Sequence, residues 1–119
     1  MAKYKILQEK SFKLAIRIVN LYKFLCKEKK EFVLSKQILR SGTSIGANIE
    51  ESLGGQSDKD FFTKLNISYK EARETKYWLR LLQETDYLSE EQAESILNDV
   101  EEICKILAKI ILTMRQKFN

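Results

Sequence analysis

The sequence predicts an all-α protein, an antiparallel up-down-up-down bundle of four long helices that forms one domain over residues 1–119. The 119 residues contain no proline and only four glycines, so few positions break or weaken a helix. In the second half, apolar residues recur at alternating spacings of three and four, which is the seam of a left-handed bundle. Only short polar segments separate these patterns, and short connections favour antiparallel neighbours.

Wheel patterns and end signals predict the first two helices. The first runs from about Tyr4 or Ser11 to about Lys27, and its apolar arc covers roughly half of the circumference. The second begins after Ser35, a predicted N-cap, or one turn earlier, and ends at the glycine pair 54–55. The apolar arc of the first helix comprises Phe12, Leu14, Ala15, Ile18, Val19, Leu21, Tyr22, Leu25 and Cys26.

The last two helices have clearer starts and seams. Ser57 or Asp58 begins the third helix, which stops near Asp86. Ser89 and Gln92 form a predicted capping box at the start of the fourth, because each side chain can bond the backbone N–H of the other. The third seam comprises Phe61, Leu65, Ser68, Ala72, Thr75, Leu79 and Leu82, and the fourth comprises Ile96, Val100, Ile103, Leu107, Ile110 and Met114.

Residues 39–51 are rich in Gly, Ser and Thr, a composition typical of loops, yet isoleucines continue a seven-residue rhythm through them. The segment is therefore predicted to be a helix. Gly42 and Gly46 are four positions apart and form a shallow groove for a neighbouring backbone. Asn48 is predicted to fix helix register or oligomeric state. The packing or interface candidates here are Arg40, Ser41, Gly42, Ser44, Gly46, Asn48 and Glu51.

A phosphate-binding loop is the alternative for this segment. A P-loop needs a lysine directly after its second glycine and a strand before the first, and neither is present. Close helix packing is the better interpretation.

A second stripe on the third helix predicts self-association. Ile67, Glu71, Glu74, Trp78 and Leu81 lie at helical spacing, away from the core seam. Large apolar side chains rimmed by charge are typical of protein–protein contacts, so we expect a homo-oligomer. The alternative is a tryptophan lying flat on the surface of a monomer, with its indole N–H in water.

The charge is divided unevenly along the chain. Residues 1–40 hold eleven Lys or Arg against three Asp or Glu, a net charge of +8, whereas residues 41–119 carry −4. This asymmetry indicates an anionic partner such as RNA, although a solvated helix face would look the same. The candidate nucleic-acid contacts are Lys10, Lys13, Arg17, Lys27, Lys29, Lys30, Lys36 and Arg40.

Enzymatic function, a metal and a cofactor are not predicted. The chain has no histidine, which removes the commonest general base and most zinc sites. Glu71 and Glu74 share a face, but a solvated or salt-bridging role is expected for them. Cys26 and Cys104 fit reduced thiols, and no apolar run approaches the roughly 18 residues of a membrane span, so we expect a cytoplasmic protein.

Two blocks and a dipeptide carry a resemblance to a known family. The first block is Leu34, Gln37, Leu39, Arg40, Ser41, Ser44, Ile45, Gly46, Ala47, Asn48, Ile49 and Glu51. The second is Ser57, Asp60, Phe61, Leu65, Ile67, Glu71, Glu74, Trp78 and Leu79, followed by Tyr87 and Leu88. The chain resembles the bacterial four helix bundle protein family, whose founding members are encoded in intervening sequences of 23S ribosomal RNA genes.

The resemblance implies a ring-like homopentamer of long-helix bundles and no catalytic residues. A related branch, the accessory proteins of diversity-generating retroelements, is similar in fold and works with a reverse transcriptase and nucleic acid. We therefore expect a non-enzymatic oligomeric scaffold that binds RNA, a ribonucleoprotein or a nucleic-acid-processing protein. The alternative is a protein–protein assembly module without a nucleic-acid role.

Overall fold

Four α-helices account for nearly all of the chain. The computed structural model describes residues 2–118, in which the helices are α1 (Ala2–Lys27), α2 (Leu34–Leu53), α3 (Asp58–Glu84) and α4 (Glu90–Phe118). In this part of the chain no strand occurs, and α1 and α3 each contact both α2 and α4. The 27 residues of α3 extend about 40 Å at 1.5 Å per residue, close to the 46 Å long axis of the molecule. The predicted all-α four-helix bundle is confirmed.

The core is a continuous cluster of leucine and isoleucine side chains from all four helices. The predicted seams of α3 and α4 are buried, except that Phe61 and Met114 at their ends are half-buried. The side chains that are less than 2% exposed include Leu7, Leu14, Ile18, Leu25, Ile38, Ile45, Ile49, Leu65, Leu79, Leu82, Ile103 and Leu107. Burial of these apolar side chains is the main favourable term in the stability of the bundle.

The predicted starts of α3 and α4 and the predicted end of α2 are confirmed. The Ser57 hydroxyl accepts from the Asp60 N–H at 3.1 Å, which caps α3. Ser89 and Gln92 form the reciprocal capping box, with bonds of 2.9 and 3.1 Å. The helix α2 ends at Leu53, immediately before the glycine pair.

The start of α2 differs from the prediction. Ser35 is not the N-cap; it is buried inside the first turn of the helix. The carboxylate of Glu31 accepts the N–H groups of Val33, Leu34 and Ser35 at 3.3, 3.1 and 2.7 Å. These N–H groups have no partner within the helix, and a carboxylate also complements the positive end of the helix dipole. Glu31 therefore caps α2 from outside the helix.

The segment 39–51 is helical and packs closely, as predicted. Gly42 lies directly against Ile18 of α1, because a Cβ atom built on Gly42 would lie 2.7 Å from Ile18 Cγ1. One turn later, a Cβ atom on Gly46 would lie 3.3 Å from the Ser11 hydroxyl oxygen of α1. The two glycines thus form the groove that receives α1.

We expect Gly42→Ala to destabilise the protein although alanine favours helices. Ile18 is fully buried and β-branched, so it cannot move aside easily, and overpacking should lower the free energy of unfolding by about 1–2 kcal/mol. Urea denaturation followed by circular dichroism measures this change. Gly54→Ala is the matched control, because its nearest neighbour would be 3.8 Å away. A Gly42→Ala variant as stable as wild type would show that the contact is not tight.

The carboxylate cap makes a second prediction about stability. Glu31→Ala leaves three backbone N–H groups without their acceptor and should lower the free energy of unfolding by about 1–2 kcal/mol. Glu28→Ala removes an exposed carboxylate from the same connection and should change stability by less than about 0.5 kcal/mol. Equal effects of the two substitutions in thermal or urea denaturation would contradict the cap.

Candidate nucleic-acid interface

The eight predicted basic residues separate into two groups in the structure. Three of them form ion pairs with carboxylates of another helix. Lys10 and Arg17 of α1 pair with Glu102 and Asp99 of α4 at 3.0 and 2.7 Å. Arg17 also donates to the carbonyl oxygen and the hydroxyl of a serine on α4, at position 95. These two residues hold α1 against α4, so their charge is already partly neutralised.

The third paired residue, Arg40, is the centre of a polar cluster between α2 and α3. Its guanidinium donates to Glu71 at 2.9 Å and to Glu74. The Glu74 carboxylate also accepts from the Trp78 indole N–H at 2.8 Å. The predicted salt-bridging role of the two glutamates is confirmed, with Arg40 as the cation.

This cluster changes the interpretation of the second stripe on α3. Arg40 of α2 covers the two glutamates of the stripe within one chain. Trp78 and Leu81 are half-buried, whereas Ile67 is 37% exposed. A role for Ile67, Glu71, Glu74, Trp78 and Leu81 at an oligomer interface stays a prediction.

The remaining small and polar candidates of α2 mostly face α3 or their own helix. Ser41 accepts a buried hydrogen bond from Thr75 at 2.9 Å. Ser44 donates to the Arg40 carbonyl oxygen, and Asn48 donates to the Ser44 carbonyl oxygen at 2.8 Å. Asn48 is thus satisfied by its own helix, and its proposed effect on oligomeric state stays a prediction. Glu51 pairs with a lysine of α3, at position 64.

The other five basic candidates form no ion pair with any carboxylate among the described residues 2–118. Lys13 lies on the exposed side of α1. The other four are exposed and surround the connection between α1 and α2, together with Phe32, which is 52% exposed. We call this surface the end patch; it consists of Lys27, Lys29, Lys30, Phe32 and Lys36.

Part of the apolar arc of α1 is exposed. Phe12, which the wheel places in this arc, is 68% exposed, and Ile16 beside it is 49% exposed. The arc of α1 is wider than the surface that α2 and α4 cover, so these two side chains lie outside the core. Phe12 and Ile16 are one helical turn apart and form an apolar strip on the outside of α1.

A second basic surface lies between α3 and α4, within residues 41–119, whose net charge is negative. It is a groove of about 450 Å³. Its lining residues are Tyr69, Arg73, Lys76, Tyr77, Arg80 and Cys104. Burial raises the pKa of the Cys104 thiol, so the thiol is neutral at pH 7. The sequence does carry a signal for this surface, because basic residues recur at helical spacing along α3. The acidic residues of α4 offset their charge when residues 41–119 are summed.

Two further observations concern the described residues 2–118. None of their helices is long and apolar enough to cross a membrane. No group of three or more Cys, Asp or Glu side chains among them is placed to hold a metal ion.

Comparisons with known proteins found a matching family model and a similar solved structure. The model of the 23S rRNA-intervening sequence protein family matches residues 3–109. A crystal structure of a protein of unknown function from Bacteroides thetaiotaomicron, assigned to the S23 ribosomal protein family, is similar in sequence and fold. It is 61% identical, with a TM-score of 0.91, and the alignment covers 92% of this chain and 97% of that one. No curated protein matches the chain.

The relation to accessory proteins of diversity-generating retroelements stays a prediction. The family match covers most of the chain and includes both sequence blocks that carry the resemblance. The chain therefore belongs to the 23S rRNA-intervening sequence protein family.

Proposed function

We propose that this protein is a non-enzymatic homo-oligomeric scaffold that binds RNA or a ribonucleoprotein through its end patch. The observation that carries the proposal is the group of four exposed lysines that have no carboxylate partner among the described residues. Unpaired lysines attract phosphates, and an exposed aromatic ring such as Phe32 can stack on a base. The family's description names 23S rRNA, which makes bacterial ribosomal RNA in the cytoplasm the first partner to test.

We infer an antiparallel up-down-up-down arrangement within one domain. Contacts between helix ends support it. The start of α1 meets the end of α2 where Gln8 donates to Glu50 at 3.1 Å, and Lys117 near the end of α4 pairs with Asp58 at the start of α3. In this arrangement the α1–α2 and α3–α4 connections lie at the same end of the bundle. The α3–α4 connection and its flanks contain the acidic residues Glu84, Asp86, Glu90 and Glu91. The positive charge at this end is therefore concentrated on the end patch.

The proposal also includes association of several copies of the chain through the apolar strip on α1. Phe12 and Ile16 lie in the middle of α1, exposed to solvent in a single copy. Burying such a side chain contributes about 1.5–3 kcal/mol, so covering the strip with a second copy would stabilise an oligomer. The family resemblance implies a homopentamer. An oligomer would repeat the end patch several times and raise its avidity for a long RNA.

The absence of histidine in the whole sequence supports a non-enzymatic role, because the commonest general acid or base is missing. The same apolar strip favours the second candidate, an assembly module for proteins without a nucleic-acid role. The two candidates differ in what the end patch does, and RNA binding separates them.

We expect the variant Lys29→Gln/Lys30→Gln/Lys36→Gln to bind a structured 23S rRNA fragment at least about tenfold more weakly than wild type. The slope of log affinity against log salt concentration should fall by about three, one for each lost phosphate contact. Fluorescence anisotropy over a salt series measures both quantities.

The matched control for this experiment is Lys5→Gln/Lys59→Gln/Lys109→Gln. These lysines are also exposed and unpaired within the described residues, and they lie near the other end of the bundle. Equal weakening by both triple variants would contradict a specific end patch. No binding by wild type at low salt would leave the assembly module as the function.

A separate prediction concerns the oligomer. Wild-type protein should have a mass in light scattering that is a multiple of the 14.0 kDa chain, and Phe12→Lys/Ile16→Lys should reduce it. Both side chains are exposed, so the variant should keep its helices and most of its stability. Phe32→Lys is the control, because it changes an exposed aromatic residue away from the strip. A wild-type monomer at high concentration would contradict self-association.

A further inference from the structure

The groove between α3 and α4 has a wall of basic and aromatic side chains. Lys70, Arg73, Tyr77 and Arg80 are spaced by three, four and three residues, so they form a stripe along the exposed side of α3. Three residues of the groove lining are cations and two are tyrosines. The volume of about 450 Å³ lies within the range of roughly 300–1,000 Å³ that is typical of small-molecule sites.

Most of the positive charge in this wall has no partner. Lys76 pairs with Glu101 of α4 at 3.1 Å. Arg73 and Arg80 form no ion pair with any carboxylate among residues 2–118. Like charges three or four positions apart on a helix repel each other, so this arrangement destabilises α3 slightly. A bound anion would remove that repulsion.

The floor of the groove does not offset this charge. Cys104 of α4 lies there, and its thiol is neutral because burial raises its pKa. Of the nearby carboxylates, Glu101 is held by Lys76. Glu84 and Glu94 lie in an adjoining groove that Arg80 also lines. Arg73 lines this groove but not the adjoining one, so these carboxylates offset its charge less than that of Arg80.

Tyr77 adds a surface for stacking between the two arginines. Its side chain is 59% exposed. Its ring packs edge to face against Trp78, with a centroid distance of 5.2 Å and an angle of 73°. An exposed ring on a rigid helix, with a guanidinium on each side, matches the chemistry of an unpaired base and its two flanking phosphates.

We propose that this groove binds an unpaired segment of RNA, with a base stacked on Tyr77 and phosphates held by Arg73 and Arg80. The inference rests on RNA being the partner under the proposed function, but it uses a surface different from the end patch. A single strand fits better than a duplex, because the bases of a duplex are stacked on each other and cannot reach an aromatic ring.

The test uses the full-length protein and a fluorescein-labelled single-stranded oligouridine. Tyr77→Ala should weaken binding by about tenfold, whereas Tyr77→Phe, which keeps the ring, should bind like wild type. Arg73→Gln/Arg80→Gln should also weaken binding and should reduce the salt slope by about two. The control Lys5→Gln/Lys59→Gln removes the same charge elsewhere and should have a much smaller effect.

A crosslinking experiment locates the base directly. Oligouridine carrying 5-iodouridine should crosslink to Tyr77 on irradiation, and mass spectrometry of the peptides identifies the position. Circular dichroism checks that each variant keeps its helices, and the arginine variant provides the test if Tyr77→Ala does not fold. Crosslinks confined to other residues, or unchanged affinity of Tyr77→Ala and of the arginine variant, would overturn the proposal.

The outcomes also separate this inference from the proposed function. If the end-patch variant binds folded 23S rRNA normally but Tyr77 crosslinks to oligouridine, the groove is supported and the end patch is contradicted. If oligouridine binds no better than a duplex of equal length and Tyr77→Ala has no effect, the groove is only a cationic surface, and the inference is wrong. That second result leaves the end-patch experiment unaffected.

Discussion

The close contact between α1 and α2 is the constraint on which the other interfaces depend. Ile18 occupies the space that a side chain at position 42 would fill, and Ser11 occupies the corresponding space at Gly46. With the two backbones this close, Ile38 and Ile45 of α2 reach the centre of the core together with the leucines of α1. Helices kept farther apart by a β-carbon at position 42 would leave voids there, and interiors tolerate few voids.

The two sides of α2 are built differently. On the side that faces α1, the glycines leave a groove into which side chains of α1 pack. The side that faces α3 is polar, with the buried hydrogen bond between Ser41 and Thr75 and the ion pairs of Arg40. Buried hydrogen bonds have strict geometry and therefore set the register between two helices more sharply than apolar contacts do. Close packing against α1 requires small residues, and hydrogen bonding to α3 requires polar ones. Together these two requirements explain the unusual composition of residues 39–51.

The elements that sequence reasoning predicted well depend on local or periodic signals. The seams of α3 and α4 follow from helical periodicity, and the capping box at Ser89 follows from residues next to the helix start. The cap at Glu31 was not predicted, because Glu31 lies three residues before the first residue of the helix that its carboxylate caps. Phe12 belongs to the apolar arc of α1 but lies outside the core, because a wheel shows which side of a helix is apolar, but not how much of that side its neighbours cover. The packing partners that decide this are set by the tertiary structure.

The candidate sites show a similar limit, because the net charge of a segment does not reveal which of its cations are paired within the fold. The net charge of segments directed attention to residues 1–40, but Lys10, Arg17 and Arg40 from that segment already hold carboxylates of other helices. Residues 41–119, with net charge −4, contain Arg73 and Arg80, which hold none among the described residues. A phosphate responds to the local potential within about a Debye length, roughly 8–10 Å, and not to the sum over a segment. Ion pairing within the fold therefore decides which cations are available to an anionic partner, and the proposed contacts are two smaller surfaces instead of residues 1–40 as a whole.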